Sequence, residues 1–223
     1  MFSYLIQMYF KMVLFPVFCY NQRMPKIVDH EQRKQQIAEA TWSVILKKGI
    51  EGATVRAIAA EANVSLGSLR HYFSSQDELL LYAMNLVKMR VSKRINSILK
   101  SDSDPKTTSI RILLELIPYN KESEIEMSVW FHFVMANIHR KQLEDDGVLE
   151  GIDRLMAGLH QAGCLKEAVD LLIGTEQLYA LVDGLALHAM MNPERLPKEK
   201  IKKVIIHHMN TLFAEPVEET SIN

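Results

Sequence analysis

The sequence predicts an all-α protein, and three observations carry that expectation. From Met24 onward, apolar residues recur with the 3.6-residue period of a helix, and alternating strand patterns are absent. Start and stop signals (Asp, Ser or Thr before a periodic run, Gly or Pro after it) bracket those runs at ordinary helix lengths. The 223 residues are 48% hydrophobic and 24% charged, the balance of a globular chain with one large or two smaller helical domains.

Taken in order, Asp29 with Gln32 forms a capping-box pattern for a first helix. Ile37, Ala38, Thr41, Trp42, Ile45 and Leu46 then give one buried stripe. Lys47 and Lys48 suit the negative end of that helix, and Gly49 the left-handed stop after it. Thr54 starts a short second helix to about Ala62, and Ser65 a third ending near Phe73. Ser75 with Glu78 is a second capping box, launching a long fourth helix to about Lys100. The polar break "SDSDP" (101–105) is the expected hinge between the two parts of the chain. Further helices are expected near 106–117, 123–141, 144–162, 175–191 and 198–213, with an extra helical turn within 164–174. Pro193 and Pro197 make "NPERLP" a loop, and the acidic tail 215–223 is expected to fray.

The net charge of −1 conceals an asymmetry. Residues 1–100 carry 14 Lys and Arg against 7 Asp and Glu, a net +7, whereas residues 101–223 carry 12 against 20, a net −8. A basic first part beside an acidic second part points to a polyanionic partner for the first only. Cys19 and Cys164 are too few for a disulfide framework, so a reducing, cytoplasmic setting is expected. Residues 1–23 are rich in Phe, Tyr, Met and Leu, but Lys11 splits the apolar run, Pro16 breaks it, and no cleavage site follows. They are expected to be an extension outside the functional protein, with no membrane partner.

The second and third helices carry the chemistry. In "TVRAIAAEA–NVS–LGSLRHYF", Ala59 is the small residue that a close helix crossing demands, and Ile58, Val64 and Leu69 can pin the pair. Asn63 takes the turn, where a left-handed backbone is usual. Leu66, Gly67, Ser68, Arg70, His71 and Tyr72 are then left facing outward. Gly67 and Ser68 let the backbone approach a surface, and Arg70, His71 and Tyr72 can donate hydrogen bonds, as a helix entering a major groove requires. Phe73 is expected in the core.

"TVRAIAAEANVSLGSLRHYFSSQDELL" (54–80) resembles the DNA-binding signature of TetR-type bacterial repressors. "WFHF" (130–133) and "LVDGLALHA" (181–189) resemble the C-terminal domain of the BetI-like branch. The resemblance implies a helix-turn-helix DNA-binding domain at 24–76 and a helical ligand-binding and dimerisation domain at 77–214. It implies a homodimer binding a palindromic double-stranded operator, released by an unidentified small-molecule effector. Arg56, Gly67, Ser68 and His71 match positions that face bases, and Thr54, Arg70 and Tyr72 match positions that hold phosphates; Ser65 and Leu66 complete the DNA-facing set. Leu66 and Gln76 stand where many members have Lys, and Arg70 where many have Tyr.

In the second domain, Met127, Trp130, Phe131, Val134 and Ile138 share a helical face. The first four are the candidate effector pocket, because Met-rich and aromatic surroundings adapt to apolar ligands. Leu178, Leu181, Val182, Leu185, Ile201 and Ile205 are the candidate dimer interface. His132 with His139, and His207 with His208, lack a third ligand at metal spacing, so no metal is expected. No phosphate loop, nucleophile elbow or acid–base pair is visible, so no cofactor and no catalysis are expected. The rivals are an enzyme using a C-terminal cavity and a membrane-associated interaction protein tethered by residues 1–23.

Overall fold

The computed structural model describes residues 25–101, 104–137 and 147–219. The extension 1–23, the positions Ile138 and His139, and the last four residues of the tail lie outside them. Among the described residues there are nine helices: α1 (Pro25–Lys48), α2 (Val55–Glu61), α3 (Leu66–Tyr72), α4 (Gln76–Leu99), α5 (Pro105–Glu115), α6 (Lys121–Asn137), α7 (Val148–Gln161), α8 (Leu171–Met191) and α9 (Lys198–Leu212). No strand occurs among them; one isolated antiparallel bridge pairs Leu165 with Phe213. The all-α class is as predicted.

The chain forms two compact units. Of the described residues, the first holds Pro25–Arg90 together with Ile125–Asn137, and the second holds Val91–Glu124 and the residues from Gly147 onward. The change of unit therefore falls inside α4 and again inside α6. The "SDSDP" break is no hinge between them: its described residues Ser101, Asp104 and Pro105 belong to the second unit, where Asp104 caps α5 by accepting from the backbone N–H groups of Lys106 (2.9 Å) and Thr107 (3.3 Å). Pro105 takes the first helical position, where its missing N–H costs nothing.

In the first unit, α1 begins at Pro25 rather than after an Asp29 cap, since proline is compatible with a first helical position and nothing between it and Asp29 breaks the period. Ile37, Ala38, Thr41, Trp42 and Ile45 are buried as the stripe predicts, but Leu46 is 40% exposed and Val44 is buried instead. At 100° per residue Leu46 lies about 110° from the centre of that face and Val44 about 90°, so the face takes Val44 first. Trp42 donates its indole N–H to the Ala83 carbonyl at 3.0 Å, joining α1 to α4 in the core, and the Arg90 guanidinium covers the ring 4.8 Å from its centre. Gly49 ends α1 at φ +72°. At the start of α4, Ser75 Oγ accepts from the Glu78 N–H at 3.1 Å as expected. The Glu78 carboxylate, however, reaches back one residue too far for a capping box, to the N–H (2.8 Å) and hydroxyl (2.6 Å) of Ser74.

In the second unit, a single core runs through α5, α7, α8 and α9, with Ile110, Leu113, Leu155, Leu178, Ile205 and Phe213 among its members. The helix expected from 175 starts at Leu171, because Asp170 accepts from the N–H groups of Leu172 (3.0 Å) and Ile173 (3.1 Å). Residues 164–170 form no extra helix; Gly163 (φ +67°) ends α7 and turns the chain into the bridge at Leu165. The start of the tail is held rather than frayed. Asn210 exchanges two hydrogen bonds with the Val217 backbone, at 2.8 and 3.0 Å, and Lys106 donates to the Glu215 carbonyl at 3.1 Å.

Candidate nucleic-acid interface

Local sequence builds the interface. The Thr54 side chain caps α2 by accepting from the Ala57 N–H at 3.2 Å, and Ser65 caps α3 by accepting from the Ser68 N–H at 3.0 Å. Each hydroxyl keeps its proton for donation elsewhere while its oxygen holds a helix end. Between the helices, Asn63 sits at φ +51°. Its N–H bonds to the Ala60 carbonyl at 3.2 Å, and the Val64 N–H bonds to the Ala59 carbonyl at 3.0 Å. This pairing is a Schellman stop with asparagine in the left-handed position usually held by glycine. Ile58, Ala59 and Leu69 are buried where α2 meets α3, and Val64 is half-buried.

The outer face follows. Arg56 is exposed in the first turn of α2, and Leu66, Gly67, Arg70 and His71 are exposed on α3; Ser68 and Tyr72 are half-buried and Phe73 is buried. Gly67 has no reason in the fold for lacking a side chain: an added Cβ would meet only the Ser65 hydroxyl, at 3.9 Å. Gln76 donates its side-chain amide to the Ala53 carbonyl at 3.1 Å, tying the start of α4 to the loop before α2.

Two residues of α1 join the site without having been found in the sequence. His30 lies against Tyr72 with ring centres 4.8 Å apart, and 6.2 Å from His71. The Lys34 ammonium sits 5.7 Å from the centre of the Phe73 ring and 5.6 Å from that of Tyr82. No local signal marks either residue, because the contacts close across the fold. Behind the helix-turn-helix, Glu61 accepts from Ser43 (2.6 Å) and Lys47 (2.7 Å), and these bonds hold its carboxyl below the usual carboxylate value.

The other two candidate sets fare differently. Met127, Trp130, Phe131 and Val134 are all half-buried on α6, whose fully buried positions are Ser123, Glu126 and Val129. Two of those three are polar, and Ser123 is held by capping bonds from the N–H groups of Tyr119 and Asn120, so an apolar pattern could not find that face. The dimer set needs correcting. Leu178, Val182, Leu185, Ile201 and Ile205 are buried in the core of their own chain, and Leu181 is half-buried against it. A strongly apolar helical stripe reads the same whether a chain covers it itself or a partner does. The residues that α8 leaves exposed are Leu172, Ile173, Glu176, Gln177, Ala180, Asp183, Leu187, His188 and Met191; Ile173, Gln177, Ala180, Leu187 and Met191 form the middle of that face, with half-buried Gly184 in their line.

Two short helices crossed at a small residue, with a cationic outer face on the second, define a helix-turn-helix DNA-binding regulator. Residues 37–83 match the family model for bacterial regulatory proteins of the tetR family, and residues 105–214 match that for the BetI-type transcriptional repressor C-terminal domain. The HTH-type transcriptional regulator PksA of Bacillus subtilis is 51% identical over 200 residues, covering 88% of this chain and 98% of that protein. The HTH-type transcriptional regulator BetI of Proteus mirabilis is 30% identical over 186 residues, covering 81% of this chain and 92% of that protein. Among solved structures, a transcriptional regulator from Rhodococcus sp. Rha1 matches with a TM-score of 0.65 at 26% identity, covering 80% of this chain and 95% of that one. A TetR-family regulator from Rhodococcus sp. shares the fold with a TM-score of 0.70 at 21% identity, covering 81% and 98%. The chain belongs to the TetR family of transcriptional regulators, with a BetI-type C-terminal domain. Among the described residues no helix is long and apolar enough to cross a membrane.

Proposed function

We propose that the protein is a homodimeric repressor that binds a palindromic operator and is released by a small-molecule effector. The observation that carries this reading is the outer face of α3, where Gly67, Arg70 and His71 are exposed together while Leu69 and Phe73 anchor the helix from behind. Gly67 lets the backbone close on DNA, and the charged and polar groups beyond it can hold phosphates and base edges. Thr54, Arg70 and Tyr72 position the reader on phosphates; Arg56, Ser68 and His71 reach the bases. The repressor assignment draws on the matched description of the C-terminal domain.

The outward face of α8 is the dimer contact in this reading. Ala180 and Gly184 allow close approach of a second copy, and an added Cβ at Gly184 meets nothing within its own chain. The effector lodges beside Met127, Trp130, Phe131 and Val134. It acts by population shift, favouring a separation of the two α3 helices that no longer fits successive major grooves, about 34–36 Å apart. The test is selection from a random duplex library by the full-length chain. A two-fold symmetric sequence should be enriched; enrichment of none, or of an asymmetric one, contradicts the reading.

A further inference from the structure

We propose that Leu66 determines specificity by reading the C5-methyl group of a thymine in the major groove. The inference rests on α3 being the recognition helix. Leu66 is the first residue of α3 and is 39% exposed, although its side chain is wholly apolar. It lies one helical turn before Arg70, which is also exposed, so the two share the face that meets DNA. The N-terminal residues of a recognition helix are the ones that contact base edges.

The chemistry of the groove narrows what Leu66 can meet there. Guanine and adenine N7, guanine O6, thymine O4 and the amino groups of adenine and cytosine are polar, and an isobutyl group pressed on any of them would strip water without replacing its hydrogen bonds. The thymine methyl is the largest apolar group on that surface, projecting well beyond the C5–H of cytosine. Gly67 removes the neighbouring side chain, and its backbone leaves room within the chain for one, since an added Cβ would meet only Ser65 Oγ at 3.9 Å. The first turn of α3 can therefore close until Leu66 touches the base edge. A cation at this position would tolerate any base beneath it through its phosphate contact; leucine does not.

The test uses the full-length chain and a duplex selected from a random library, with each thymine of one half-site replaced in turn by deoxyuridine, which differs only by the missing methyl. One replacement should weaken binding about three- to fivefold, the worth of one methyl group removed from a buried contact. Leu66→Ala should lose a similar factor on the thymine duplex and be indifferent to the same replacement, with unchanged melting because the residue is exposed. Indifference of the wild type to every replacement overturns the proposal, as does a Leu66→Ala variant that keeps the sensitivity. A selection that enriches no sequence overturns the recognition-helix reading, and this proposal with it.

Discussion

The imidazole of His30 in α1 lies in tilted contact with the phenol of Tyr72 in α3, 4.8 Å between ring centres and 43° between planes. The pair clamps the last turn of the recognition helix, where Tyr72 is assigned to a phosphate. Ring pairs of this kind are worth about 0.5–1.5 kcal/mol. His30→Ala should therefore weaken binding roughly two- to tenfold on specific and unrelated duplexes alike, leaving base preference untouched. Competition titrations with both duplexes check this; a change confined to the specific duplex would assign His30 to base reading instead.

Gly67→Ala should separate stability from binding. Glycine within a helix costs about 0.5–1 kcal/mol relative to alanine, and the fold has room for the methyl group. The variant should melt slightly higher than the wild type yet bind the selected operator at least about tenfold more weakly, because the methyl holds the backbone off the groove. Calorimetry and a binding titration on the same preparation decide it. A variant that binds as well as the wild type means that the backbone makes no close approach.

The buried and outward faces of α8 predict opposite failures. Leu187 is 39% exposed and Leu185 is 7% exposed, two residues apart on one helix. Leu187→Glu should give a folded monomer by sedimentation, whereas Leu185→Glu should lose its helical circular dichroism, since an uncompensated charge would enter the core. A folded monomer from Leu185→Glu would return that residue to the interface.

Glu61 predicts a pH dependence. Hydrogen bonds from Lys47 and then Ser43 favour its ionised form in the folded state, so its value lies below the ordinary 4.5. The ionised form is the one that the fold stabilises. The contribution is therefore fully present above 4.5 and is lost as pH falls through the lowered folded value. Urea unfolding of wild type and Glu61→Gln, followed from neutral pH downward, should show a constant gap that closes only below the carboxylate range. A gap that is unchanged at the acid end contradicts the assignment.

The parts of this fold that were legible in the sequence are those set by neighbours along the chain. Asn63 and Gly49 turn left-handed, and Thr54, Ser65 and Ser75 cap helices, because each signal acts within about four residues. What the pattern could not reveal is closed by distant partners. His30 meets Tyr72, Gln76 meets the Ala53 carbonyl, and Lys34 covers Phe73, each across a long stretch of chain and with no periodicity to mark it. The dimer residues failed for a different reason. Leu178 and Ile205 carry the same apolar signature as an interface, and only packing shows that their own chain covers them. The buried line of α6 escaped because Ser123 and Glu126 are polar.

The central claim is that α2 and α3 divide the work of DNA binding, with Arg70 holding the backbone and Arg56 a base edge. Titrating Arg70→Ala and Arg56→Ala against the selected operator and a scrambled duplex at several salt concentrations tests it most directly. Arg70→Ala should weaken both duplexes similarly and lower the salt slope by about 0.9 for each phosphate that the protein no longer neutralises. Arg56→Ala should cost about 1–3 kcal/mol on the operator only and relax preference at one base pair per half-site. If Arg56→Ala weakens both duplexes equally while Arg70→Ala changes base preference, the roles are reversed. If neither substitution changes affinity or salt slope, this face of α2 and α3 does not meet DNA.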